Sequence, residues 1–135
     1  SGFRSYFREH ANDFVLLEPL STFESDAIAR ELTEKLLRQH PDLQGLYISG
    51  GGIGGALAAI RESGRAGQLV TVGYTLMEST KAGLLDGSLT LVISHPFERL
   101  ARETILATIR AKNAAQDAGT QSVQIPFEIH TRENV

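Results

Sequence analysis

Leu46-Tyr47-Ile48-Ser49-Gly50-Gly51-Gly52-Ile53-Gly54-Gly55-Ala56-Leu57-Ala58-Ala59-Ile60 passes from an apolar run, through a glycine cluster, into residues of helical periodicity. Its first residues suit a buried strand, and Ile53, Leu57 and Ile60 fall on one face of a helix. A glycine turn in that place leaves backbone N–H groups bare at a helix N-terminus. Unpaired donors and the helix dipole together favour a polar or anionic ligand group there. Gly50, Gly52 and Gly55 formally satisfy the G-x-G-x-x-G dinucleotide fingerprint. That fingerprint also needs an acid about 20 residues on, closing the next strand, to hold a ribose hydroxyl. The next strand, Leu69 to Tyr74, ends in Thr75. A nicotinamide is therefore disfavoured, and the residues call for no cofactor. The plainer reading is that the glycines let helix and strand pack closely.

Working outward, the residues from Glu78 to Asp86 form a helix stopped by Gly87, which suits a left-handed C-cap. Leu89 to Ile93 reads as a strand. Pro96 suits the first position of a helix, with His95 as its cap. That helix runs to about Asn113 and carries a wide apolar stripe of Phe97, Leu100, Ala101, Ile105, Leu106 and Ile109. A polar loop spans 114–122, and Val123 to Phe127 alternates like a strand that Pro126 confines to an edge. Upstream, Ser21-Thr22-Phe23-Glu24 has the form of a capping box. The helix after it shows Ile28, Leu32 and Leu36 on one face and ends at His40-Pro41. Glu31–Lys35 and Glu34–Arg38 supply ion-pair spacing on its wet side. Phe14 to Leu17 is a short apolar run fit for a parallel strand covered on both faces. Ser1 to His10 reads as the tail of a helix, with Phe3 and Phe7 one turn apart. It opens without a cap ahead of a strand, which suggests a preceding strand.

Strands alternating with helices of this length predict an α/β fold, a three-layer α/β/α arrangement around a mainly parallel sheet. Ligands bind such sheets outside the carboxyl ends of the strands. That rule selects Leu20 to Phe23 (with Ser21 and Phe23), Ser49 to Gly51 (with Gly50), Thr75 to Glu78, and Ser94 to Phe97 (with His95). Within that set, His95 either lines the pocket or only caps its helix. Glu78 either accepts ligand hydroxyls or serves the helix dipole. Phe97 either stacks on a ring or packs in the core.

The 135 residues are one domain's worth of chain. Hydrophobic residues at 41% and charged residues at 21% are ordinary for a globular protein. A net charge of −3 supplies no basic patch for nucleic acid. No cysteine is present, which removes disulfides, thiolate metal sites and thiol catalysis. No apolar run reaches the ~20 residues of a membrane span, so no membrane contact is expected. The serines lack the hydrolase elbow and the four histidines lack metal-ligand spacing. A binding protein is expected rather than an enzyme.

Ser1-Gly2-Phe3, His40-Pro41-Asp42-Leu43-Gln44-Gly45-Leu46-Tyr47, Ala56-Leu57-Ala58-Ala59-Ile60-Arg61-Glu62-Ser63-Gly64, Val72-Gly73-Tyr74 and His95-Pro96-Phe97 occur in this order. The ordered set resembles the ligand-binding domains of LacI-type transcriptional regulators, whose fold is shared by the sugar-binding proteins of bacterial transporters. The resemblance spans essentially the whole chain. It implies one lobe of a type I periplasmic-binding-protein-like fold, with residues 1–135 as the C-terminal lobe. The N-terminal lobe and any DNA-binding headpiece would lie outside the chain.

It also implies a small-molecule effector, usually a sugar, closed between lobes, and a cytoplasmic homodimer that reaches DNA only through the headpiece. The transport receptor is the alternative, and a nucleotide-using enzyme a more distant one. Ser49-Gly50 stands where the family commonly has Asn-Asp, and Thr75 where it commonly has Asp. With those acceptors replaced, the N–H groups of Gly50 and Gly51 and the two hydroxyls would suit an acidic, phosphorylated or otherwise modified sugar. In the family's fold the chain after about Ile93 crosses to the other lobe. The helix beginning at Pro96 is then expected to self-associate or to fold back onto its own sheet.

Overall fold

The computed structural model describes residues 2–114, 119 and 122–135. Its elements are α1 (Gly2–His10), α2 (Asp26–Gln39), β1 (Gly45–Ile48), α3 (Ile53–Glu62), β2 (Val70–Tyr74), α4 (Glu78–Asp86), β3 (Leu91–Ser94), α5 (Phe97–Asn113) and β4 (Glu128–His130). The strands form one sheet in the order β1-β2-β3-β4. β1, β2 and β3 run parallel, and β4 returns antiparallel beside β3. Each parallel pair is joined by a helix, as a parallel connection requires.

Ile53, Leu57 and Ile60 do form the buried stripe of α3. They meet Leu37 of α2, Leu84 of α4, Leu69, Leu89 and Val92 in a single core. Leu46 and Ile48 of β1 point into it. Tyr47, between them in the alternating pattern, faces the other way, and the ring of Phe3 in α1 stacks on it at 5.0 Å. Helices thus flank both faces of the sheet, the predicted layering. Gly87 ends α4 in the left-handed conformation at φ 83°, as read from the sequence.

α2 lies along α3, and glycine sets how close they come. A Cβ on Gly55 would collide with the backbone carbonyl of Asp26, and one on Gly52 would stand 2.7 Å from the Cβ of Ala29. The glycine cluster is a close-packing device, as the plainer reading held, but the surface it admits is a neighbouring helix. Arg61 of α3 reaches Asp86 at the end of α4 at 2.6 Å. Burial pushes the Asp86 carboxyl up, and bonds from the Ser88 hydroxyl, the Ser88 N–H and Arg61 outweigh it. The net effect holds that carboxyl below its ordinary value.

Several expectations are corrected. Phe14 to Leu17 is not a strand; β1 is the edge of the sheet, no neighbour pairs with the run, and Val15 is 87% exposed. The capping box does not form. α2 begins after Ser25, whose hydroxyl accepts from the Ile28 N–H at 3.4 Å. Glu24, freed from that role, turns to the glycine turn. Ala29, Thr33 and Leu37 take the buried positions of α2, rotating Ile28 outward. Arg30 takes Glu34 and Glu62 as partners in place of the two expected pairs.

Pro96 sits at the cap position of α5 with ψ 98°, outside the helix, so the helix starts one residue late and His95 does not cap it. Val123 to Phe127 is irregular, because strand pairing starts only after Pro126, at Glu128. Of the polar loop, 115–118 and 120–121 lie outside the described residues. α5 buries none of its residues, and Phe97, Ile105 and Ile109 stand 60%, 59% and 49% exposed. The helix does not fold back onto its sheet.

Candidate functional site

Ser49, Thr75 and His95 directly follow β1, β2 and β3. The parallel register sets Ile48 beside Gly73 and Tyr74 beside Ile93, which brings all three residues to one edge of the sheet. The Thr75 N–H donates to the carbonyl of Ile93 at 2.8 Å, extending the ladder past β2. Glu78, the first residue of α4, stands just beyond, fully in solvent and 3.6 Å from Lys81.

The segment before α2 closes on the same edge. Thr22 Oγ1 donates to the Gly51 carbonyl at 3.0 Å, and Glu24 Oε2 accepts from the Gly51 N–H at 2.7 Å. The backbone of one residue is gripped at both its N–H and its carbonyl. Further along, the Gly55 N–H donates to Asp26 Oδ1 at 3.1 Å. The expectation of a bare donor at Gly51 is therefore corrected. The head of α3 holds two of the protein's own carboxylates where a ligand anion was expected, the favourable place for any negative charge near a helix N-terminus.

Phe23 stands between the two gripping residues with φ 51° and 78% of its surface exposed, and Glu24 follows at φ 61°. With Thr75 at φ 73°, these are the non-glycine residues of positive φ among those described. All three lie on the candidate edge. Left-handed backbone is disfavoured for a side chain carrying Cβ, and such strain gathers where the surroundings hold a functional arrangement. Ser21 opens this segment, exposed.

His95 leaves the same edge from β3. Its Nδ1 lies 3.1 Å from the Pro126 carbonyl, which only accepts, so that nitrogen carries a proton. The ring stands edge-on to Tyr74 at 5.9 Å. Phe97, two residues on and the first of α5, is exposed and lies outside the core. Beneath them, Ser94 Oγ lies 2.9 Å from His130 Nε2, and Glu128 lies 3.5 Å from the same nitrogen. This serine, histidine and acid do not make a catalytic triad, which needs the acid and the serine on opposite ring nitrogens. Among the described residues, none form a group of three or more His, Cys, Asp or Glu that could hold a metal. No described helix is long and apolar enough to cross a membrane. A shallow open groove of about 450 Å³ lies between α2 and α3, lined by Arg30, Gly54 and Ala58 among others. It is on the flank of the helix pair.

Residues 1–117 match the model of the periplasmic binding protein domain. The chain belongs to that family. A periplasmic binding protein is a binding module, not an enzyme, in keeping with the sequence reading. The D-ribose/D-allose-binding protein of Pseudomonas aeruginosa is 42% identical over 53 residues, 38% of this chain and 17% of that protein. Among solved structures, the solute-binding protein of an Agrobacterium vitis transporter, with bound D-fucose, superposes with a TM-score of 0.84. It is 19% identical, and the match covers 98% of this chain and 45% of that one. A carbohydrate transporter solute-binding protein from Agrobacterium radiobacter, in complex with D-arabinose, gives a TM-score of 0.85 at 14% identity, covering 98% and 45%. The chain therefore spans less than half the length of these relatives.

The sequence missed Glu24 as part of this periplasmic binding protein edge, though Thr22 fell within the stretch Leu20 to Phe23, and it missed the Ser94–His130 contact. Ser25-Asp26, a cap residue followed by a first-turn acid, was the available signal for the true start of α2. Once the helix starts there, Glu24 has no capping duty. The Ser94–His130 contact joins residues 36 apart and leaves no local trace.

Proposed function

We propose that the chain is the carboxyl-terminal lobe of a two-lobed sugar receptor. Its edge, made by Ser21 to Phe23, Ser49 to Gly51, Thr75 to Glu78, and His95 to Phe97, is one wall of the cleft. One observation carries the reading: the turn after β1, Thr75 after β2 and the strained Phe23–Glu24 pair converge on the carboxyl ends of a parallel sheet. A sugar offers hydroxyls to such side chains and a carbon face to an exposed ring. Ligand held by both lobes would favour the closed arrangement, a population shift.

The two Agrobacterium structures are named as transporter solute-binding proteins, which supports that role ahead of the LacI-type regulator of the sequence resemblance. The two share this cleft and differ in what surrounds it. A regulator adds a DNA-binding headpiece, a homodimer and a cytoplasmic location. A transport receptor adds an export signal.

The test is a thermal-shift screen of the intact gene product against D-ribose, D-allose, D-arabinose, D-fucose and polyols. A ligand at 100 times its Kd stabilises the folded state by about 2.7 kcal/mol, so one or more sugars should raise the melting temperature. No shift with any of them would overturn the reading.

A further inference from the structure

We propose that Glu24 is the specificity-determining residue of this cleft, admitting uncharged polyhydroxyl ligands and turning away their acidic counterparts. The proposal rests on the sugar-receptor reading and replaces the acidic ligand that the glycine turn suggests by itself.

The carboxylate of Glu24 lies across the turn after β1. Oε2 takes the Gly51 N–H at 2.7 Å, and a Cβ placed on Gly50 would stand 3.0 Å from Oε1. Glu24 is therefore seated over the two residues expected to cradle a ligand anion. Its place is fixed twice. Its backbone is in the left-handed region at φ 61°, and Thr22, two residues before, is tied to the carbonyl of the same Gly51. Next along the helix head, Asp26 occupies the Gly55 N–H.

At the mouth of α4, Lys81 already lies 3.6 Å from Glu78. Ionised carboxylate only accepts hydrogen bonds, with about four lone-pair sites. One serves Gly51, and Oε1 keeps acceptor capacity for a ligand hydroxyl. A ligand carboxylate has no proton to give it and meets like charge, which is how a site rejects a wrong partner. Nothing about a periplasmic binding protein fold alone dictates this polarity. It follows from the residue that reaches the turn.

The experiment compares the intact protein with Glu24→Gln and Glu24→Ala, using D-galactose and D-galacturonate, D-glucose and D-glucuronate, and any aldose found in the thermal-shift screen. Glutamine keeps an acceptor for Gly51 and removes the charge. Wild type is expected to bind the neutral member of a pair at least about tenfold more tightly, the scale of one like-charge contact near a surface. Glu24→Gln is expected to move the ratio of affinities toward the acid by about tenfold. Hydrogen exchange at the Gly51 amide gives a ligand-free readout: protection like wild type in Glu24→Gln, and faster exchange in Glu24→Ala. Equal binding of acid and neutral sugar by wild type, an unmoved ratio in Glu24→Gln, or unchanged Gly51 exchange in Glu24→Ala would each overturn the proposal. Absence of binding by every sugar and every acid would instead overturn the receptor reading beneath it.

Discussion

Gly55→Ala should destabilise the protein sharply, while Gly54→Ala, one residue earlier on the same helix, should not. At Gly55 the added methyl meets the carbonyl of Asp26, which is backbone and cannot swing aside. At Gly54 it stands 3.2 Å from the carboxylate oxygens of Asp26, the end of a side chain that need give only a few tenths of an ångström and so keeps its bond to Gly55. Alanine is better than glycine in a helix by about 1 kcal/mol, so both substitutions begin with that gain. Overpacking a rigid contact costs about 1–3 kcal/mol. Separating α2 from α3 also weakens the bond from the Gly55 N–H to Asp26, and a hydrogen bond to a charged group contributes about 1.5–3 kcal/mol. The net expectation is a loss of about 2–4 kcal/mol for Gly55→Ala and a change between zero and a 1 kcal/mol gain for Gly54→Ala. Urea unfolding followed by far-UV circular dichroism reads both. With slopes of about 1–3 kcal/mol per molar, the Gly55→Ala midpoint falls by about 1 M or more relative to Gly54→Ala. Equal midpoints would refute the close approach of α2 to α3 and with it the packing role given to the glycine cluster.

Asp86→Asn should lower stability at neutral pH and flatten the acid limb of the stability curve. The folded-state carboxyl titrates below the ordinary 3.8, so its stabilising contribution is present above that value and fades as pH falls through the lower folded one. The difference in urea midpoint between wild type and Asp86→Asn should therefore vanish in acid, and a pH-independent difference would contradict the sign. The uncovered face of α5 predicts that the 135-residue chain, produced by itself, associates with increasing concentration. Sedimentation velocity should show this, and Ile105→Glu with Ile109→Glu should reverse it. A strictly monomeric wild-type chain would contradict the prediction.

The sequence made the centre of the fold legible and left its margins obscure, for physical reasons that individual residues show. Ile53, Leu57 and Ile60 repeat at helical spacing and bury a continuous stripe, so periodicity and burial agree. Gly87 announces a left-handed cap because few other residues fit one. Phe14 to Leu17 has the composition of a strand, but a strand exists only with a partner, and β1 closes the sheet before reaching it. Ser21 and Glu24 have the spacing of a capping box, yet spacing does not say where a helix starts, and Ser25 serves that end instead. The strand-end rule brought Ser49, Thr75 and His95 to one edge without knowledge of any contact. The grip on Gly51 by Thr22 and Glu24 joins residues 29 and 27 apart. No periodicity encodes such a contact.

The most direct measurement is the position of a bound sugar on the intact protein, by crystallography or by amide shift mapping. The account predicts the sugar at the carboxyl ends of β1, β2 and β3, against the ring of Phe23 and within hydrogen-bond reach of Glu24 and Thr75. A sugar seated elsewhere, as in the groove between α2 and α3, would contradict it.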